Sequence, residues 1–237
     1  MDTEAKTNYS IPIVIVLAGI IIAGAMYFSN SKKALTPVIE NTSSQSTEAK
    51  ISQVKIEGAP FIGNPGAPVV IAEWFDYQCP ACKYADQKLI TPLVDDYVKK
   101  GKVKIVFKDF SFLGKDSQTI AITARAVWEA YPDKYYEWHK VMFNNQGQEN
   151  TGWATKEVMT NLMKKVAGID VNLIDELIAK NSDKYQALVD ADREEGIKLG
   201  VKATPTFVYA DVIESGVPQY SNFKSTVDVL LTAFTNN

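Results

Sequence analysis

The chain has 237 residues, room for one sizeable domain with segments to spare. Hydrophobic residues make up 46% and charged residues 22%, a globular balance that excludes a wholly disordered chain. With 25 Lys and Arg interspersed among 28 Asp and Glu, the net charge is -3; phosphate binding needs clustered positive charge, so no nucleic-acid partner is expected.

Residues 1–10 read as a short tail. No residue from 7 to 31 is charged, and residues 11–28 are almost wholly apolar. As a helix that stretch would be roughly 27 Å long at about 1.5 Å per residue, close to the hydrocarbon thickness of a bilayer. Tyr9 on one side and Tyr27 and Phe28 on the other suit the two interfaces, and Pro12 falls in the first turn, where a missing N–H does little harm. A transmembrane anchor is expected. The rival is a signal peptide cleaved near Ala23-Gly24-Ala25, although Asp2 and Glu4 offset Lys6 and leave no basic leader. Lys32 and Lys33 after the helix favour placing that side in the cytoplasm, a small charge difference that redox chemistry must overrule or uphold.

Residues 29–52 are mostly polar and read as a flexible tether; Asn41-Thr42-Ser43 fits a glycosylation pattern common by chance in such stretches. A folded domain is expected over 53–237. Residues 69–75 form a buried-strand run, followed by a helical pattern through Leu89, Ile90, Leu93, Val94, Tyr97 and Val98 that Pro92 should kink and Gly101 should end. A second strand is expected at 103–107. Residues 116–199 carry almost no strand signal and divide into amphipathic helices, with breaks near Pro132, 147–152, Gly168 and Asn181-Ser182. Strands return at 206–209 and 212–219, before a last helix at about 222–234. The pattern predicts an α/β domain with a helical insertion.

The chain has two cysteines, Cys79 and Cys82, three positions apart where strand gives way to helix. Pro80 takes the first helical position it favours, so the unsatisfied N–H groups and dipole of the helix point at the Cys79 sulfur and stabilise its thiolate. Cys82 lies one turn on and would resolve mixed disulfides by attacking Cys79. Two bland readings compete. Half a zinc site lacks partners, because His139 is the one histidine and no other cysteine exists. An inert structural disulfide would gain little from so short a loop.

Here the residues carry a family resemblance. Val69-Val70-Ile71-Ala72-Glu73-Trp74-Phe75-Asp76-Tyr77-Gln78-Cys79-Pro80-Ala81-Cys82 resembles the active-site strand and helix start of DsbA-like thioredoxin-fold proteins. Leu199-Gly200-Val201-Lys202-Ala203-Thr204-Pro205-Thr206-Phe207 resembles the family's cis-proline loop. Ala124-Arg125-Ala126-Val127-Trp128 and Tyr135-Tyr136-Glu137-Trp138-His139 are similar to its helical insertion. The likeness spans about 56–234.

The resemblance implies a thioredoxin fold with an inserted helical subdomain at about 116–199, which here follows the one N-terminal transmembrane helix that the apolar run predicts. It implies a protein disulfide oxidoreductase that forms disulfides in exported proteins with free cysteines, on the extracytoplasmic side of a membrane, with a membrane redox partner of the DsbB or VKOR type and no cofactor or metal. Pro205 would be the cis-proline facing the cysteines, with Thr204, Pro80 and Ala81 beside it on the substrate-binding surface. Glu73 would be the buried acid that relays the proton of Cys82, its bland alternative being an exposed strand-edge residue. Asp76 is a second candidate for that task and equally a turn residue. Ala81 stands where the best-known members carry His, so a potential below their roughly -120 mV is expected. Ala203 replaces a common Gly. His139 reads as a packed residue, and Trp74, Trp128, Trp138, Trp153, Phe107 and Phe110 as core or groove aromatics. A reductase or isomerase of exported proteins, or a tethered peptide-binding, chaperone-like module, are the alternatives.

Overall fold

The computed structural model describes residues 50–235; the tail at 1–10, the apolar segment at 11–28 and the tether at 29–49, with its Asn41 triplet, lie outside the described residues. Among the described residues no helix is long and apolar enough to cross a membrane. Structure begins within the stretch read as tether: Ile51–Gln53 form a 3-10 turn, and the Ile51 N–H donates to the Ala210 carbonyl at 2.7 Å.

Five strands make one sheet: β1 (Phe61–Ile62), β2 (Val69–Phe75), β3 (Val103–Asp109), β4 (Thr206–Tyr209) and β5 (Val212–Ser215), in the order β1-β3-β2-β4-β5. β2 and β3 are parallel and the other neighbours antiparallel. Central β2 is covered on both faces, with Val69, Ile71 and Phe75 in the larger core cluster and Ala72 and Trp74 in the smaller one. Burial on both sides is why it reads as a continuous apolar run. β1 was not expected; two residues are too few for periodicity to register. β5 stops at Ser215, short of the expected 219, as the chain turns at Gly216 with φ at 87°.

Parallel neighbours need a crossover. It is supplied by α1 (Pro80–Ala85) and α2 (Thr91–Leu93), joined and followed by π turns at Asp86–Ile90 and Val94–Val98. Pro92 donates no N–H and its ring crowds the turn before it, so the expected kink takes the form of widened turns on either side. The buried stripe of this run is Cys82, Ala85, Asp86, Leu89, Ile90 and Leu93, continued by Val94, Tyr97 and Val98.

The insertion holds α3 (Lys115–Ala130), α4 (Tyr135–Asn144), α5 (Lys156–Met163) and α6 (Val171–Leu199); α7 (Tyr220–Thr235) closes the fold. Thr155 caps α5 by accepting from the Val158 N–H, and Asp170 caps α6 by accepting from that of Asn172. The break expected at Asn181-Ser182 is a single non-helical residue, Asn181 at φ -122°, inside an otherwise continuous α6. Ile174 before it and Tyr185 after it are buried in the same cluster, which holds both halves in one helix.

α6 meets the sheet closely at Gly196, where a Cβ would lie 2.7 Å from Trp74 Nε1. A buried ion network joins insertion to sheet there. Arg125 of α3 pairs with Asp109 at 2.6 Å and with Asp192 of α6; Lys108 of β3 pairs with Asp192 and, at 2.8 Å, with Glu195.

Candidate redox site at the end of the central strand

The register Trp74↔Thr206 sets the start of β4 beside the end of β2. The turn 76–79 leaving β2 and the loop 203–205 entering β4 therefore meet at one end of the sheet. Asp76 anchors the turn: its carboxylate accepts from the N–H groups of Gln78, Phe112 and Leu113 at 2.8, 2.9 and 3.0 Å, and from the Ser117 hydroxyl at 2.6 Å. Of its two readings the geometry gives the turn residue. Gln78 is held by the Leu113 carbonyl and Ser117, and Gln146 donates to the carbonyls of Tyr77 at 2.8 Å and Cys79 at 3.1 Å. Sequence reading missed Ser117 and Gln146. Both come from the insertion, at separations of 41 and 67 residues from their partners, beyond any local pattern.

Cys79 is the N-cap of α1, with Pro80 next, as the helix-start chemistry demands. Both cysteines are free thiols. Cys79 is 8% exposed and its thiol donates to the Thr204 carbonyl at 3.4 Å, while Cys82 has no exposed surface. A hydrogen bond from the Cys82 thiol draws Cys79 down to about 6; burial opposes this, and the Thr204 side chain and the N–H groups of Cys82 and Ala81 add to it. Burial, then the neighbouring Cys79, pushes Cys82 well above its ordinary value. The pair is split into a slightly exposed, more acidic thiol at Cys79 and a fully buried, less acidic one at Cys82. Cys79 can attack a disulfide from outside, and Cys82 can reach one only after Cys79 has bonded to it.

Glu73 is 2% exposed on central β2, which removes the exposed-edge reading. Burial first, then the charges of Asp86 and Cys79, raises its carboxyl well above the usual range. The Thr204–Pro205 peptide bond is cis. Thr204 and Pro205 are buried, while Ala203, Pro80 and Ala81 are exposed around Cys79. His139 is buried against Phe75 and Phe107, with ring centroids at 5.2 and 4.6 Å, and burial lowers it to about 3. Trp74, Trp138, Phe107 and Phe110 are core residues; Trp128 and Trp153 pack partly buried against it.

The family described as thioredoxin matches residues 55–229. The chain belongs to the thioredoxin family. Within it, disulfide bond formation protein D of Bacillus subtilis is 29% identical over 188 residues, covering 79% of this chain and 84% of that protein. The probable disulfide bond formation protein D of Bacillus anthracis is 30% identical over 168 residues, 70% of this chain and 76% of that one. Oxidised BdbD from Bacillus subtilis has a TM-score of 0.68 at 29% identity, covering 75% of this chain and 95% of that chain. The thiol-disulfide exchange protein alpha-DsbA2 from Wolbachia pipientis also gives 0.68, at 28% identity over 78% and 95%. This thioredoxin-family chain is a protein disulfide oxidoreductase with the helical insertion of its DsbA-like relatives.

Proposed function

We propose that the enzyme makes disulfides in exported proteins, using Cys79 and Cys82 as its dithiol/disulfide couple. The split between the two thiols carries this reading: a stabilised Cys79 thiolate favours the reduced enzyme, and so favours passing the disulfide on. A substrate thiolate attacks Cys79 of the enzyme disulfide, and Cys82 leaves and takes up a proton. A second substrate thiolate attacks the substrate sulfur of the mixed disulfide, releasing Cys79 as a thiolate. The substrate gains one disulfide and the enzyme is reduced by two electrons. Glu73, beneath the pair, exchanges the Cys82 proton; Thr204, Pro205, Pro80 and Ala81 hold the extended substrate segment. Reoxidation falls to a membrane partner of the DsbB or VKOR type.

Residues 11–28 anchor the enzyme, the segment up to 49 tethers it, and the catalytic domain from 50 on faces the extracytoplasmic side, where disulfides persist. The apolar run at 11–28 and the names of the disulfide-forming relatives support this placement over the two lysines at 32 and 33. The test is oxidative refolding of a reduced, unfolded ribonuclease by stoichiometric oxidised enzyme. Recovery of ribonuclease activity with matching loss of the enzyme disulfide is expected. Reduction of insulin without net oxidation of ribonuclease would make the enzyme a reductase. Removing residues 1–28 is expected to move the protein from the membrane to the soluble fraction with refolding activity intact.

A further inference from the structure

Cys79 is held less firmly by its helix than Cys82 is. Cys82 lies inside α1 with no exposed surface, while Cys79 is the N-cap, with φ -72° and ψ 119° outside the helical region. The helix reaches Cys79 only through its carbonyl, which accepts from the N–H groups of Cys82 at 3.1 Å and Lys83 at 3.2 Å. Attack by Cys82 needs the Cys79 sulfur close and in line, and a misplacement of about 1 Å can cost about 10²-fold in rate.

The insertion supplies a second hold on this main chain. Gln146 Nε2 lies 2.8 Å from the Tyr77 carbonyl oxygen and 3.1 Å from that of Cys79. Carbonyls only accept, so the group facing them is the amide NH2, with one hydrogen for each. One side chain thus spans two peptide groups of the turn. α4 holds the same turn through the Tyr77 side chain, whose hydroxyl lies 3.0 Å from His139 Nδ1 and whose ring packs on Phe143 with centroids 5.2 Å apart. Gln146 is itself anchored. Its N–H donates to the Phe143 carbonyl at 3.3 Å, and the Asn145 side chain before it donates to Val141 and accepts from Lys165, both at 2.7 Å. After it comes Gly147, where the Trp153 ring fills the space a Cβ would need.

Resting on the reading of Cys79 and Cys82 as the redox couple, we propose that Gln146 is a positioning residue of the exchange reaction, clamping the Cys79 peptide so that its sulfur stays within reach of Cys82 in the mixed disulfide. It acts through the Cys79 main chain rather than on the sulfur. The step it serves is resolution. The deprotonated Cys82 sulfur bonds to that of Cys79, the Cys79–substrate S–S bond breaks, and the substrate sulfur leaves with the electron pair as a thiolate. The first attack, by Cys79 on a disulfide from outside, needs no alignment with Cys82 and depends on the clamp far less.

The reaction of the reduced enzyme with the aromatic disulfide DTNB separates the two steps. Cys79 releases one coloured thiolate; Cys82 then displaces the second from Cys79 and leaves the enzyme disulfide. Four replacements separate hydrogen bonding from charge. Gln146→Met removes the donors, Gln146→Glu removes them and adds negative charge, and Gln146→Lys keeps donors and adds positive charge. Gln146→Asn keeps the amide on a stem too short for both carbonyls. In stopped flow at pH 7 the second release is expected to slow by about tenfold in Gln146→Met, Gln146→Glu and Gln146→Asn, and by less than about threefold in Gln146→Lys. The first release should change by less than about threefold in Gln146→Met and Gln146→Asn. A second release that follows charge alone, with Gln146→Met unchanged, would overturn the positioning role. Equal slowing of both releases in Gln146→Met would do the same. Should Gln146→Met fail to fold, Gln146→Asn decides by the same comparison. Release of a single equivalent by the unaltered enzyme would refute the redox couple itself.

Discussion

Cys79→Ser is expected to reduce thiol-disulfide exchange to the uncatalysed background, a loss on the order of 10³-fold or more, because a serine hydroxyl forms no mixed disulfide. Cys82→Ala stops the cycle at a different point. Cys79 still attacks, but no second thiol resolves the product, so a covalent enzyme–substrate disulfide accumulates one to one. The variant also tests the cause of the low Cys79 titration. The Cys82 thiol is the largest contributor to holding Cys79 at about 6, so its removal raises that value. Iodoacetamide alkylation of Cys79 against pH should show its inflection near 6 in the unaltered enzyme and clearly higher in Cys82→Ala. An unmoved inflection would transfer the effect to the helix start and Thr204.

Arg125→Ala should produce the largest loss of stability away from the cysteines. Arg125 is 3% exposed and neutralises Asp109 and Asp192 between α3, β3 and α6, where water cannot replace it. Removing one partner of a buried network costs about 3–5 kcal/mol. The exposed Lys99–Asp95 pair is the control, since solvent screens it and Lys99→Ala should leave stability nearly unchanged. The Arg125→Ala deficit is expected to depend on pH. Burial already lifts Asp109 to about 6 despite Arg125, and without the guanidinium it rises further. A raised carboxyl contributes stability below its unfolded value and loses it as pH climbs through the folded one. The variant's deficit should therefore be smaller at pH 5 than at pH 8. Urea unfolding at the two pH values measures it, and a deficit under about 1 kcal/mol at pH 8 would contradict the network's role.

The strands and helices that organise this site were legible where they are long and one-sided or wholly buried: β2, β3 and the insertion helices follow from apolar runs and periodicity. β1 was not, because two residues carry no period, and the π turns flanking Pro92 were not, because a proline says that a helix is disturbed without saying how. The cysteines and the Thr204-Pro205 loop stand out by residue type. Glu73 could be placed on a strand, but only the sheet order makes that strand central and the carboxyl buried. His139 was read correctly as packed. Gln146 left no such signal: its place beside Cys79 depends on how the end of α4 lies over the active-site turn, which a single sequence does not specify.

The reduction potential of the Cys79–Cys82 pair, equilibrated in glutathione buffers and followed by tryptophan fluorescence, tests the central claim most directly. A lower thiol pKa stabilises the reduced form and raises the potential. A thiol at about 6 lies between that of thioredoxin, near 7 and about -270 mV, and that of DsbA, near 3.5 and about -120 mV, so its potential is expected between theirs. A value above thioredoxin's and, with Ala81 inside the motif, below DsbA's is expected. A potential at or below about -270 mV would contradict disulfide donation and make the enzyme a reductase.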